Sequence, residues 1–118
     1  MKTPAAVEAL GALAHEHRLR TYRLLVEYGP KGLSAGAIAE NIRLAPSSLT
    51  FHLQALQRAG LILQRRDGRQ LIYSVDFEAM GSLVGYLTEN CCAASGESCT
   101  NACKPTVVPR SLKRSRAA

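Results

Sequence analysis

A change in hydrophobic periodicity at Gly60 constrains the fold of this 118-residue chain more than any other feature. Before Gly60, apolar residues recur every three or four positions, as they do in amphipathic helices. After it, two short segments, 61–66 and 70–75, flank the dipeptide Asp67-Gly68, which is a strong short-range signal for a β-hairpin. The pattern therefore predicts a set of helices followed by one hairpin.

Capping and breaking residues divide the rest of the chain into five helices. Ser, Thr and Asp accept hydrogen bonds from the first N–H groups of a helix, Pro is favoured in the first turn, and Gly ends a helix. The apolar pattern also pauses at 15–17, which indicates two helices or one long helix with a bend, and we count two. The predicted order is α-α-α-α-β-β-α, mainly α with a β-hairpin (α+β), and this is a winged helix-turn-helix. The residues that mark the boundaries are Thr3, Pro4, Gly29, Pro30, Ser34, Pro46, Gly60 and Asp76.

The predicted fourth helix has the two faces that a DNA-recognition helix needs. Leu49, Leu53 and Leu56 form an apolar stripe, and the opposite face carries hydroxyl, amide and aromatic side chains. Hydroxyls and amides can bond to base edges or phosphates, and arginines near the helix and on the hairpin can neutralise phosphates. We therefore predict contact with double-stranded DNA through Ser47, Ser48, Thr50, Phe51, His52, Gln54, Arg43, Arg65, Arg66 and Arg69.

The three histidines give only weak evidence of a metal site. His52 lies beside the apolar stripe, where a lone histidine more often forms a hydrogen bond or touches phosphate than binds a metal. His15 and His17 are two residues apart at the pause between helices, so we expect that they do not share one helical face. A zinc site at these residues has no support from their spacing.

All four cysteines lie in one stretch after the predicted last helix, at Cys91, Cys92, Cys99 and Cys103. A chain that used cysteine as a small core residue would scatter it through the helices, so the clustering indicates chemistry. Thiolates favour soft ions, and trivalent arsenic or antimony takes three sulfur ligands in a pyramidal arrangement. Cys91 and Cys92 would supply two ligands. Cys99, which closes the smaller loop, or Cys103 would supply the third.

Other interpretations of the cysteine cluster stay open. Four thiolates could hold zinc or cadmium, although adjacent cysteines do not match the usual zinc spacing. Neighbouring thiols could form a disulfide in a redox sensor, and the segment could also have no function. A thiol-dependent enzyme such as an arsenate reductase needs its cysteine in an anion-binding loop at a helix N-terminus, whereas these cysteines follow a helix C-terminus. We expect no enzymatic activity and no organic cofactor.

The net charge of +6 is concentrated at one end of the chain. Residues 104–118 contain five basic side chains and no acid, whereas residues 1–103 contain ten basic and nine acidic groups. We predict a winged-helix DNA-binding and dimerisation domain over 1–90, a cysteine-rich sensing segment over 91–103, and a basic tail with little fixed structure over 104–118.

The N-terminal residues do not resemble a secretory signal, because Glu8 and the polar run at 15–17 interrupt any apolar core. No apolar stretch approaches the length of a membrane span. We therefore expect a cytoplasmic protein with no membrane partner. In that compartment thiols stay reduced, and clustered cysteines indicate metal binding or redox chemistry.

Three segments, 12–25, 44–62 and 65–75, together resemble the ArsR/SmtB family of winged-helix repressors. The resemblance covers about residues 5–90 and places the family's recognition-helix pattern on Thr50, His52 and Leu53. It implies a homodimer joined through the first and last helices and bound to an inverted-repeat operator. It also implies that repression is relieved by a metal or metalloid.

The resemblance also narrows the place where a ligand would bind. The Cys-x-Cys motif of the founding arsenic sensors, on the helix before the recognition helix, is absent here, as is the Asp/His pattern of the zinc sensors. Some members instead carry arsenic-binding cysteines just after the last helix, including an adjacent pair like Cys91-Cys92. The resemblance therefore implies a repressor induced by As(III), or by Sb(III), at the C-terminal thiolates.

Overall fold

A computed structural model describes residues 1–96 and shows the predicted winged helix-turn-helix. Residues 1–96 form five α-helices and a small three-stranded antiparallel sheet, so the predicted fold class is confirmed. The predicted ligands Cys99 and Cys103 and the predicted tail over 104–118 lie outside the described residues. The elements are α1 (Thr3–Leu13), α2 (Glu16–Tyr28), β1 (Leu33–Ser34), α3 (Ala35–Ile42), α4 (Pro46–Arg58), β2 (Ile62–Asp67), β3 (Gln70–Val75) and α5 (Phe77–Thr88), with a 3-10 turn at Gly29–Lys31.

The chain divides into two compact units, Met1–Leu87 and a second unit that begins at Thr88. The first unit holds the sheet and the helices, except for Thr88, the last residue of α5, which begins the second unit. The second unit holds Cys91 and Cys92. The sequence-based division into 1–90, 91–103 and 104–118 stays a prediction.

Two of the predicted capping residues, Ser34 and Asp76, cap helices in the structure. The Ser34 hydroxyl accepts a hydrogen bond from the Ala37 N–H (3.2 Å), and a carboxylate oxygen of Asp76 accepts from the N–H groups of Glu78 and Ala79 (3.1 Å each). Each cap satisfies backbone donors that have no partner inside the helix. These two starts, at α3 and α5, were set by local sequence.

The start of α1 differs from the prediction by one residue. Lys2, and not Thr3, occupies the N-cap position, and Thr3 is the first helical residue. The Thr3 hydroxyl instead forms a hydrogen bond with the hydroxyl of Tyr86 on α5. A tertiary contact thus uses the group that the sequence pattern assigned to the cap.

The predicted element order lacks one strand. Leu33 and Ser34 form β1 and pair with Tyr73 and Ile72 of β3, so the sheet has three strands in the order β1-β3-β2. Two residues are too few to show an alternating pattern, so the sequence carried no strand signal here. Gly32 precedes β1 with a φ of 72°, and a Cβ at this position would collide with the Tyr73 carbonyl oxygen.

The hairpin between β2 and β3 turns one residue later than the sequence signal suggests. Asp67 pairs with Gln70, so Gly68 and Arg69 form a two-residue loop. Gly68 has a φ of 64°, and a glycine at the first central position is the arrangement of a type II′ turn. This loop is the tip of the wing.

The core fixes which face of α4 is free. Leu49, Leu53 and Leu56 are each at most 1% exposed and pack with Leu25 of α2 and Ile38 of α3. Full burial of a leucine side chain stabilises a fold by about 1.5–3 kcal/mol, so the stripe holds α4 in one rotational setting. Within residues 1–96, no helix is long and apolar enough to cross a membrane.

Candidate nucleic-acid interface and thiol pair

The face of α4 opposite the leucine stripe is exposed. Ser47, Ser48, Thr50, Phe51 and Gln54 all lie on it, and Phe51 is 69% exposed. The Thr50 hydroxyl donates a hydrogen bond to the Pro46 carbonyl oxygen (2.9 Å), so its free lone pair is what an incoming donor would meet. The structure brings these five predicted residues together on one surface of the recognition helix.

Arg43 lies in the turn between α3 and α4 with a left-handed backbone (φ 55°). Its N–H donates to the Ala39 carbonyl oxygen and closes α3, a position that usually favours glycine or asparagine. The side chain is exposed. The sequence predicted Arg43 as a DNA contact but gave no signal for its left-handed backbone.

The three arginines of the wing have different surroundings, although all three are exposed. The Arg65 guanidinium donates hydrogen bonds to the carbonyl oxygens of Lys31 (2.8 Å) and Pro30 (3.4 Å). It therefore joins the wing to the 3-10 turn. Arg66 and Arg69 lie nearer the tip, beside Asp67 and Gly68, where a phosphate backbone could be reached.

His52 differs from its neighbours on α4 because its ring is half-buried against α2. Its ring centroid lies 4.6 Å from that of His15 and 5.7 Å from that of His17, and the His15 and His17 centroids are 5.6 Å apart. His15 and His17 thus lie near each other, although they do not share one helical face. His15 is the extended N-cap of α2 (φ −152°), so the helical spacing assumed for the pair does not apply.

Arg18 completes this cluster, which consists of His15, His17, Arg18 and His52 and is called the histidine cluster below. The Arg18 Nε donates a hydrogen bond to His52 Nδ1 (3.2 Å), and the His17 N–H donates to His15 Nδ1 (3.2 Å). The pKa of His52 is lowered, mainly by burial and then by the charges of His15, Arg18 and His17. No pattern in the sequence indicated the cluster, because it joins residues 34 positions apart.

The hydrogen bonds of the histidine cluster disfavour a metal ion. The Nδ1 atoms of His15 and His52 each accept a hydrogen bond, so these two nitrogens are already occupied in this arrangement. Consistently, no group of three or more His, Cys, Asp or Glu side chains within residues 1–96 is arranged to hold a metal ion.

The thiol pair follows α5 in a run of tight turns. The Sγ atoms of Cys91 and Cys92 are 3.6 Å apart. Two thiolates on one tetrahedral ion, each at about 2.3 Å, would lie about 3.8 Å from each other, which is close to the separation seen here. Cys92 has a left-handed backbone (φ 66°), as does Asn90 (φ 59°). Cys91 is exposed and Cys92 half-buried.

Comparison with known proteins identifies the family of the chain. A family described as a helix-turn-helix domain matches residues 13–65. The transcriptional regulator YgaV of Escherichia coli is 31% identical over 87 residues, which cover 74% of this chain and 86% of YgaV. The chain belongs to the ArsR/SmtB family of winged helix-turn-helix transcriptional regulators. The relatives that it matches are described as transcriptional regulators.

Solved structures of similar proteins share this ArsR-type fold. Reduced HlyU, a transcriptional activator of Vibrio cholerae, is 31% identical, with a TM-score of 0.58 over 72% of this chain and 90% of HlyU. A homodimeric winged helix-turn-helix domain from Mycobacterium bovis, described as a possible ArsR-family regulator, is 24% identical, with a TM-score of 0.59 over 81% of this chain and 89% of that domain. The chain spans 58% of the length of the uncharacterised Mycobacterium tuberculosis regulators it matches.

Proposed function

We propose that this ArsR-type regulator is a repressor that binds operator DNA as a homodimer and leaves it when trivalent arsenic, or antimony, binds the thiolates after α5. One observation carries the proposal. Two thiol sulfurs lie 3.6 Å apart, three residues beyond the last helix of a DNA-binding fold. The relatives are transcriptional regulators, and the proposal involves no enzymatic activity and no organic cofactor.

The exposed face of α4 and the wing support the DNA part of the proposal. Hydroxyl and amide groups on α4 would contact base edges and phosphates in the major groove, while Arg66 and Arg69 would reach the adjacent backbone. Arg65 would act partly by holding the wing in place through Pro30 and Lys31. Each phosphate contact that is made releases counterions, so operator binding would weaken steeply with salt.

Exposed apolar residues on α1 and α5 support the homodimer. Val7 and Leu10 on α1 are 63% and 43% exposed, and Val84 and Leu87 on α5 are 47% and 58% exposed. The two helices are neighbours, because Thr3 and Tyr86 share a hydrogen bond. Apolar surface of this kind is stabilised when a second copy covers it, and a two-fold interface would pair the same helices from both protomers.

The donor chemistry of the thiol pair fits a soft trivalent ion. Cys91 and Cys92 would supply two sulfur ligands, and Cys99 or Cys103 would supply the third. The left-handed backbone of Cys92 costs of order 1–2 kcal/mol for a residue with a side chain. Such outliers are concentrated at functional sites, which supports a role for this turn beyond connecting segments.

Ligand binding would be coupled to DNA release through α5. The cysteines follow α5 directly in sequence, and α5 carries part of the proposed dimer surface. Fastening the thiol segment would favour one arrangement of the dimer over another, and the spacing of the two α4 helices depends on that arrangement. A coupling of about 1–3 kcal/mol, or 5- to 150-fold in affinity, is typical of such linked sites.

Fluorescence anisotropy on DNA from the chain's own promoter tests the proposal. The reduced protein is expected to bind, and arsenite at a few equivalents per dimer is expected to release it. The variant with Cys91→Ser and Cys92→Ser should bind the same DNA with the same affinity and ignore arsenite. Release of the double variant by arsenite would place the site elsewhere, and a wild-type complex that arsenite leaves intact would contradict the ligand.

A redox sensor is the second candidate function. The sulfur atoms of Cys91 and Cys92 lie 3.6 Å apart, and an oxidant such as peroxide could convert nearby thiols of this segment to a disulfide. The similar regulator HlyU was solved in a form described as reduced. The same anisotropy experiment distinguishes the candidates. Release by peroxide that is reversed by a thiol reductant, without any response to arsenite, would favour the redox sensor. Release by cadmium or zinc alone would favour a different soft metal.

A further inference from the structure

We propose that Arg18 of α2 positions the recognition helix α4 through its hydrogen bond to His52, and that protonation of His52 releases this contact. Arg18 is thus a positioning residue rather than a DNA contact. The proposal rests on the proposed DNA function only where operator affinity is measured, since its main test uses the free protein.

The hydrogen bond exists in one protonation state only. The Arg18 Nε always carries a proton and can only donate, so His52 Nδ1 must be unprotonated to accept it at 3.2 Å. A proton added to His52 removes the acceptor and leaves two positive groups in contact. The attraction between α2 and α4 at this point would then become a repulsion.

The surroundings of His52 offer little compensation for an added charge. The rings of His15 and His17 lie against it from the start of α2, and the Nδ1 of His17 is buried without a hydrogen-bond partner within residues 1–96. Arg18 also lines a depression together with Glu8 of α1 and Arg58 of α4. The acidic side chains of this region are Glu8 and Glu16, of which Glu16 lies between His15 and His17 in the chain, and Arg58 adds a further positive charge.

The lowered pKa of His52 sets the sign of the pH effect. Because the folded state holds the pKa of His52 below the ordinary 6.5, the unfolded chain takes up the proton first as the pH falls. The contribution of neutral His52 to stability is therefore complete above about pH 6.5 and is lost as the pH falls toward the folded-state pKa. Ordinary histidine protonation would strengthen DNA binding by adding positive charge, so loss of specific binding in acid is a distinctive result.

NMR titration of the imidazole groups in the free protein tests the proposal, with backbone amide shifts of α4 recorded in the same samples. In the wild type, His52 should titrate below pH 6.5, and the α4 amides should shift with it. Arg18→Met should raise the pKa of His52 and, at neutral pH, move the α4 amides toward their acid positions. Arg18→Lys, which keeps the charge but not the planar Nε–H donor, should fall between the two.

Arg20→Met is the matched control, because it removes the same charge from an exposed position two residues further along α2. It should leave both the His52 titration and the α4 amides as in the wild type. The proposal is overturned if Arg18→Met also leaves them unchanged, or if Arg20→Met has the same effect as Arg18→Met.

Operator affinity gives the functional consequence. At neutral pH, Arg18→Met should weaken specific binding about tenfold, as expected for loss of one hydrogen bond with a charged donor, and should weaken non-specific binding no more than Arg20→Met does. If the wild type binds no operator at any pH, the proposed function fails, and the NMR titration alone decides the positioning role of Arg18. Equal operator affinity in Arg18→Met and Arg20→Met would overturn that role.

Discussion

The winged-helix unit and the thiol segment differ in what determines their structure. In the first unit, Leu25, Leu49, Leu53 and Leu56 are almost fully buried, and their packing holds α4 in place. Over 91–96 of the second unit, side chains are exposed or half-buried, and local turns are closed by backbone hydrogen bonds. In the proposed function, the first region would read DNA through its shape, whereas the second would recognise a ligand through the chemistry of its sulfur atoms. Stability and sensing should therefore respond to different substitutions.

The largest expected effect is on the core of the winged helix. Leu53→Ala should lower the free energy of unfolding by about 2–5 kcal/mol, because it leaves a cavity under the recognition helix. Leu53→Met, which keeps the volume, should cost less than about 1.5 kcal/mol. Urea unfolding followed by circular dichroism measures both, and similar losses in the two variants would mean that packing at Leu53 does not hold α4.

The next effect concerns DNA reading by the exposed Phe51. An aromatic side chain in the major groove contacts thymine methyl groups, and a specific base contact contributes about 1–3 kcal/mol of discrimination. Phe51→Ala should therefore reduce operator affinity about tenfold or more while leaving non-specific binding unchanged. Anisotropy with operators in which single thymines are replaced by uracil should reveal one position where the base change no longer matters in Phe51→Ala. Additive effects at every position would contradict this contact.

A smaller effect is expected at the start of α3. Ser34→Ala removes the acceptor for the Ala37 N–H and should cost about 1 kcal/mol of stability. Ser34→Asp keeps a capping oxygen and serves as the control, with stability close to that of the wild type. Thermal unfolding measures both variants. An Ala variant as stable as the Asp variant would show that the cap contributes nothing to the helix-turn-helix.

The smallest expected effect is the change in stability when the two thiols of the second unit are replaced. The double variant Cys91→Ser and Cys92→Ser should change the free energy of unfolding by no more than about 0.5 kcal/mol, since substitutions away from the core rarely do more. Its urea midpoint should match the wild type under reducing conditions. A clear loss of stability would show that the thiol segment supports the fold and would weaken the division between the two regions.

Local signals explain why much of the fold was predictable. Ser34, Asp76 and the leucine stripe of α4 act through neighbours within a few residues, and each was placed correctly. The strand β1 was missed because it consists of two residues whose partners lie in β3. In the candidate site, the exposed face of α4 was predictable as well, because it followed from the local periodicity of the helix.

Tertiary contacts account for the parts of the site that sequence did not reveal. The histidine cluster joins His52 to residues at the start of α2, and Arg65 is held by carbonyl groups of the turn at Gly29–Lys31. Neither pairing leaves a repeating pattern in the chain. The proposed choice of trivalent arsenic or antimony rests on the chemistry of thiolate ligands and on the 3.6 Å between two sulfur atoms, and neither is visible as a repeating pattern in the chain.

Reciprocal linkage is the most direct test of coupling between the thiols and DNA. The arsenite affinity of the reduced protein would be measured from sulfur-to-arsenic charge-transfer absorbance, with and without saturating operator. Operator should weaken arsenite binding by the same factor by which arsenite weakens operator binding, about 5- to 150-fold. The same arsenite affinity in the presence and absence of operator would contradict a metalloid-responsive repressor.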